Sequence, residues 1–134
     1  MAAVTANQIT PMQDGDITRS KAAAERLYAG TMGFYDASTG YVTADDNGGA
    51  NQFAGIVRQE CDNSGGSAGD KEVELYAEGV FRLKGSSFTQ ATNGDLVYAI
   101  DNYTLQTSST SASKVGRVVN YVNSTTVDVL ISLF

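Results

Sequence analysis

The chain reads as all-β, a single barrel or sandwich built from two similar units. Three observations carry that reading. One ordered pattern of strand, turn, strand, polar loop, apolar strand with a central glycine, connection and strand occurs twice along the 134 residues. The last segment alternates with period 2, placing Val127, Val129, Ile131 and Leu133 on one face and Asp128, Leu130, Ser132 and Phe134 on the other. Helix-forming chemistry is confined to one short stretch, so at most one short helix is expected. Two copies are too few for a stacked solenoid, which generally needs three or more repeats.

Residues 1–19 form an N-terminal arm and residues 20–134 the β-domain. The arm has spaced apolar residues and no sustained period of 2 or 3.6. Pro11, the single proline, biases Thr10 toward an extended conformation. Such a segment is expected to be mobile in the free protein and to order on a partner, with Ile9, Pro11, Met12 and Ile17 as its contact residues. Ser20 to Gly30 is ambiguous. Ser20 suits a helix N-cap and Gly30 a C-cap, yet the same stretch suits a lead into a strand with bulges at Gly30 and Gly33.

The first unit then runs Phe34-Tyr35, a turn at Ala37 to Gly40, Tyr41 to Thr43, and Phe53 to Val57. A Gly/Ser loop follows, and then Val73 to Tyr76. The second unit runs Val97-Tyr98, a turn at Asp101-Asn102, Tyr103 to Leu105, Lys114 to Val119, a tight turn at Asn123 to Thr126, and Val127 to Ile131. The connection before the last strand is much longer in the first unit. Asp62 to Asp70 contains three glycines and two serines, and its start (Asp62, Asn63, Ser64, Gly65 and Gly66) is a candidate contact loop.

Composition excludes several chemistries. The chain has no histidine, hence no Ser-His-Asp triad, no Cys-His pair and no imidazole metal ligand. The lone Cys61 lies between Glu60 and Asp62, which raise a thiol pKa, the wrong setting for a nucleophile. With nine basic and fifteen acidic residues the net charge is −6, and no basic stripe offers a nucleic-acid surface. An acidic surface also disfavours anionic membranes. No apolar run approaches transmembrane length, and the N-terminus lacks the pattern of a signal peptide, so synthesis in the cytoplasm is expected.

Local motifs are better read structurally than chemically. Glu72 and Glu74 share a strand face roughly 7 Å apart, a spacing that paired-carboxylate glycosidases use. A solvated face opposite Val73 and Leu75 is preferred. Asp45-Asp46-Asn47-Gly48-Gly49 faintly resembles a calcium loop, but Gly49 falls where a ligand is needed, and a polar turn is expected. The glycines form no Walker or dinucleotide signature. No catalytic, cofactor or metal residue is expected, and the chain reads as a non-enzyme.

Several phrases in their order carry a family resemblance. They are Leu27-Tyr28-Ala29-Gly30-Thr31-Met32, Tyr35 to Val42, Asp62 to Lys71, Glu78-Gly79-Val80-Phe81-Arg82-Leu83, Gly94 to Tyr98, and Val115-Gly116-Arg117-Val118-Val119. Over residues 20 to 134 the chain resembles the small capsid cement or head decoration proteins of tailed bacteriophages. The resemblance implies a β-barrel or β-tulip fold and a homo-oligomer, a trimer before a dimer. That oligomer is seated on the major capsid protein at the outer surface of the virion, with no cofactor and no catalysis. Two other readings stay open. One is a receptor- or carbohydrate-binding module with Tyr41, Tyr76 or Tyr103 as an aromatic platform. The other is a tail-tube or tail-completion subunit.

Overall fold

The computed structural model describes residues 3–10 and 16–131. Among these, twelve strands and two 3-10 turns alternate with loops, and the fold is all-β. The strands are β1 (Ile17–Lys21), β2 (Arg26–Leu27), β3 (Met32–Tyr35), β4 (Val42–Thr43), β5 (Gln52–Val57), β6 (Cys61–Asp62) and β7 (Glu72–Tyr76) in the first part of the chain. They continue as β8 (Gly79–Gly85), β9 (Leu96–Ala99), β10 (Thr104–Gln106), β11 (Ser113–Asn123) and β12 (Thr126–Ile131) in the second.

The repeat seen in the sequence is a repeat of topology. In the second unit, strands close a barrel in the order β10-β8-β12-β11-β9. In the first unit, the sheet runs β1-β7-β5-β3-β4, and a parallel bridge from Ala22 to Val42 brings its two edges together. Mapping β1, β3, β4, β5 and β7 onto β8, β9, β10, β11 and β12 reproduces every neighbour. Each pairing is antiparallel except the last, between β1's end and β4 or between β8 and β10, which is parallel in both units.

The glycine at the centre of each repeat has a physical cause. In β5 the pairing with β3 slips between Gly33 and Phe34, leaving Ala54 as the extra residue of a bulge followed by Gly55. In β11 the pairing with β9 slips in the same way, leaving Val115 extra before Gly116. The bulge presses the next residue onto the neighbouring strand. A Cβ on Gly55 would lie 2.4 Å from the Tyr76 carbonyl oxygen, and one on Gly116 would lie 2.2 Å from that of Leu130. Only glycine allows this approach.

The buried side chains form two clusters, one inside the first unit and one shared between the units. Val73, Leu75, Val42, Val57, Ala54 and Ala22 fill the interior of the first unit. Met32, Phe34, Phe53 and Ile56, on the opposite face of β3 and β5, join Phe81, Leu83, Val97, Leu105, Val118, Val127, Val129 and Ile131 of the second. This double burial explains why Phe53 to Val57 is apolar throughout rather than alternating. Polar bonds cross the same junction, from Met32 N to Asn102 O (2.7 Å) and from Ser113 Oγ to Asn51 O (2.6 Å).

Two expectations need adjustment. Ser20 to Gly30 forms no helix: Ala22 must point inward to close the first barrel, so the chain runs as β1, a bend and β2, and the 3-10 turns lie at Asn47–Gly49 and Gln90–Thr92 instead. Ile17, assigned to the arm, begins β1 opposite Tyr76, so the ordered sheet starts inside the arm's proposed limits. Leu133, Ser132 and Phe134 lie outside the described residues. The hairpin at Asn123 to Thr126 and the inward Val127, Val129 and Ile131 are as expected.

Candidate contact surface

The described part of the N-terminal segment lies on the body, along the first unit and reaching Asn102 of the second, rather than standing free of it. Gln8 N donates to Ala29 O (2.6 Å), Ala29 N donates to Asn7 Oδ1 (2.9 Å), and Thr10 Oγ1 donates to Gly30 O (2.5 Å). Asn102 Nδ2 and Oδ1 bracket Val4, accepting from its N at 2.8 Å and donating to its O at 3.2 Å. Gly30 lets the segment come this close, since a Cβ there would fall 2.2 Å from the Gln8 carbonyl oxygen. Every anchor is polar or backbone. The apolar Ile9 is left 92% exposed. Ile17 is 46% exposed at the outer edge of β1, and Pro11 and Met12 lie outside the described residues.

The segment meets the candidate loop at the small β2–β6 ribbon. Asn7 Nδ2 donates to Glu60 Oε1 (2.9 Å), and Glu60 also pairs with Arg26, whose guanidinium lies 5.2 Å over the Tyr28 ring. The hydrogen bonds from Arg26 and Asn7 hold the Glu60 carboxyl below the usual carboxylate range. Asp62, Asn63, Ser64, Gly65 and Gly66 follow directly, and with Asp70 and Lys71 they line an open concavity of about 470 Å³. Asp62 is exposed and accepts from Ser64 N and Oγ, which lowers its pKa; Lys71 Nζ donates to Asp62 O at 2.7 Å. Asn63 is the exception in this polar loop, being fully buried.

Residues set aside on sequence grounds fall as follows. Glu72 is exposed, whereas Glu74 is held by Arg19 at 3.2 Å and Arg58 at 3.3 Å, so the two carboxylates sit in different environments. Cys61 is buried, and burial raises its thiol pKa; Asp62 adds to the shift and Lys71 opposes it. Asp45 and Asp46 form a polar turn, with Asn47 N on Asp45 Oδ1 at 2.8 Å and Gly49 N on Asp46 O at 3.0 Å. Tyr76 packs on Phe81 at 5.5 Å, inside the shared core rather than on a platform, and Tyr41 and Tyr103 are half-buried. Among the described residues no three Asp, Glu or Cys side chains converge on a metal position, and no helix is long and apolar enough to cross a membrane.

Sequence reading missed the pinning roles of Asn7, Gln8 and Thr10, which carry no periodic signal. It also missed Val119 and Leu130, each 45% exposed on the outside of the second barrel. Leu130's outward position follows from its place between inward Val129 and Ile131. No family model, curated protein or solved structure matches this chain.

Proposed function

We propose that the protein is a capsid decoration protein of a tailed bacteriophage, which binds the outer surface of the assembled shell and stabilises it without catalysis. One observation supports this best. The N-terminal segment is fixed to the body through its polar groups while the apolar side chain of Ile9 faces solvent at 92% exposure. A segment tied down in this way presents an apolar anchor at little further ordering cost, which favours binding. Among the described residues β1 pairs with β7 alone short of the Ala22–Val42 bridge, which leaves the outer edge of Ile17–Lys21 available to a strand from a neighbour. The acidic balance of fifteen carboxylate against nine basic residues suits an outward surface rather than a DNA-lined interior. The partners in this reading are the major capsid protein and further copies of the chain, as a trimer before a dimer. Such a ring multiplies weak contacts through avidity, and binding only the assembled shell stabilises that state by mass action.

The test is occupancy on expanded capsids that lack the protein, at limiting concentration. The parent chain is expected to bind, and Ile9→Ser or removal of residues 2–10 is expected to lower occupancy. A parent chain that sediments apart from capsids at every concentration overturns the reading.

A further inference from the structure

The β6–β7 loop contains a buried polar atom with no partner. Asn63 is 1% exposed, and its Nδ2 donates to three carbonyls, Ser67 O at 3.0 Å, Ala23 O at 3.1 Å and Ala22 O at 3.4 Å. Three acceptors around one atom fix that atom as the nitrogen, so the amide cannot be reversed. Its Oδ1 is therefore on the other side, buried and without a hydrogen bond. Buried oxygens of this kind call for an explanation, because the desolvation is not offset by any donor.

A second oxygen lies near it, across Gly66. A Cβ on Gly66 would lie 2.9 Å from Asn63 Oδ1 and also 2.9 Å from Asp70 Oδ2, so the two oxygens are at most twice that distance, 5.8 Å, apart. A bridging calcium ion, with ligand distances of about 2.3–2.6 Å, needs oxygens no more than about 5 Å apart, a separation that this upper bound permits. Gly66 leaves the space between them open. Asp62 and Asp70 bring two carboxylates to the same concavity of about 470 Å³.

We propose that the Asp62–Lys71 loop binds a calcium ion, with Asn63 Oδ1 and the Asp70 carboxylate as its side-chain ligands. The donors are hard oxygens, and a glycine-rich loop adapts to calcium's irregular coordination better than to magnesium's strict octahedron. Backbone carbonyls and water complete the shell. Lys71, whose Nζ donates to Asp62 O at 2.7 Å, places a positive charge beside the ion and keeps the affinity low, with Kd about 0.1–1 mM. This adds a metal where the sequence pattern predicted none. The site does not depend on the decoration reading, since it stands on the loop's own geometry.

Terbium provides the probe. The chain has no tryptophan, and the Tyr41 ring lies 3.1 Å from where a Gly69 Cβ would sit, so Tyr41 is the natural sensitiser for a lanthanide in this loop. The full-length protein is expected to give saturable tyrosine-sensitised terbium luminescence that calcium displaces and equimolar magnesium does not. Asp70→Asn keeps an acceptor for Ser67 N and is expected to weaken binding about tenfold through the lost ligand charge, with the metal-free melting temperature unchanged. Lys71→Met is expected to tighten binding about threefold by removing the opposing charge. Two results overturn the proposal: no saturable signal and no calcium-dependent melting shift up to about 10 mM, or an affinity that neither substitution changes.

Discussion

Replacing Gly116 by alanine tests whether the bulge, rather than chance, keeps a glycine in each unit. The added methyl would sit 2.2 Å from the Leu130 carbonyl oxygen, where ordinary contact begins at 3.4 Å, so β11 and β12 would have to part by 1.2 Å. Both strands are committed on their other sides, β11 to β9 and β12 to β8, and the residues between them fill the shared core. Overpacking of this kind costs about 1–3 kcal/mol. The stiffer unfolded chain returns about 0.4–1 kcal/mol, leaving a net loss of about 1–2 kcal/mol. For a chain of this length that is a fall in melting temperature of about 3–10 °C. Gly55→Ala should cost more. Its methyl would sit 2.4 Å from the Tyr76 oxygen, and its φ of +138° is one that alanine rarely adopts. Gly65→Ala is the control, since nothing lies within 4 Å of its Cβ position and its φ is ordinary, so it should stay within about 0.5 kcal/mol of the parent. Thermal melts followed by circular dichroism supply the readout. A Gly116→Ala chain that melts within about 1 °C of the Gly65→Ala control would refute the close-approach argument. A melt that splits into two transitions would refute the shared core.

Other expectations follow from the same geometry. Asp46 is buried with Oδ2 unpartnered, and burial, followed by the nearby Asp45 and Asp101 charges, raises its pKa. The folded state therefore holds this proton to higher pH than the unfolded state, and stability is lost as pH rises through that range. Asp46→Asn should melt higher than the parent at pH 7, with the gap closing as pH falls toward 4. Asp128 behaves oppositely: Arg82, bonded at 2.9 Å, and Asn120 lower its pKa below the usual 3.8. Its contribution is present above that value and lost as pH falls through the lowered one, so Asp128→Asn should melt lower than the parent at pH 7 and converge with it in acid. Ile9→Ser should leave the melting temperature of the free protein within about 1 °C, because the side chain touches little; a larger drop would mean that Ile9 is packed. Native mass spectrometry of the free protein should show an oligomer, and a monomer both free and on capsids would count against the trimer.

The duplication was legible because its inward residues are apolar and its bulge glycine is obligatory. The order Phe34, Val42, Phe53 to Val57 and Val73 to Leu75 recurs as Val97, Leu105, Val115 to Val118 and Val127 to Ile131; in the first unit Val42, Ala54, Val57, Val73 and Leu75 fill the interior, while Phe34, Phe53 and Ile56 face the second unit. The opening strand of the first unit was not legible. β1 points Thr18 and Ser20 toward the sheet interior and Ile17, Arg19 and Lys21 outward, so its alternation is reversed in polarity, and Ala22 alone signals burial. In the candidate surface, Ile9 stood out as an apolar residue in a polar stretch. Asn63 did not, because an asparagine among glycines and serines looks solvated, and only the three carbonyls converging on its amide bury it.

Where two units share a topology, their differences mark what the common fold does not require. The second unit joins β11 to β12 through Ser124 and Thr125 alone, whereas the first spends residues 58–71 on the equivalent step. The first unit also adds the β2–β6 ribbon, which has no counterpart in the second. Both additions, and the N-terminal segment, meet at Glu60, through Asn7 on one side and Arg26 on the other. Leu27 and Cys61 of the ribbon pack into the first unit's interior, whereas the rest of the 58–71 connection and the N-terminal segment are held by polar bonds and do not enter the core shared with the second unit. Loops laid on a rigid scaffold are where binding residues concentrate. A charge reversal at this corner, Glu60→Lys, removes both anchors together. It should lower capsid occupancy more than the same reversal at Glu78, an exposed residue between β7 and β8 that lies outside the ribbon. Equal effects at the two positions would move the contact surface away from the first unit, to the Val119 and Leu130 side of the second barrel.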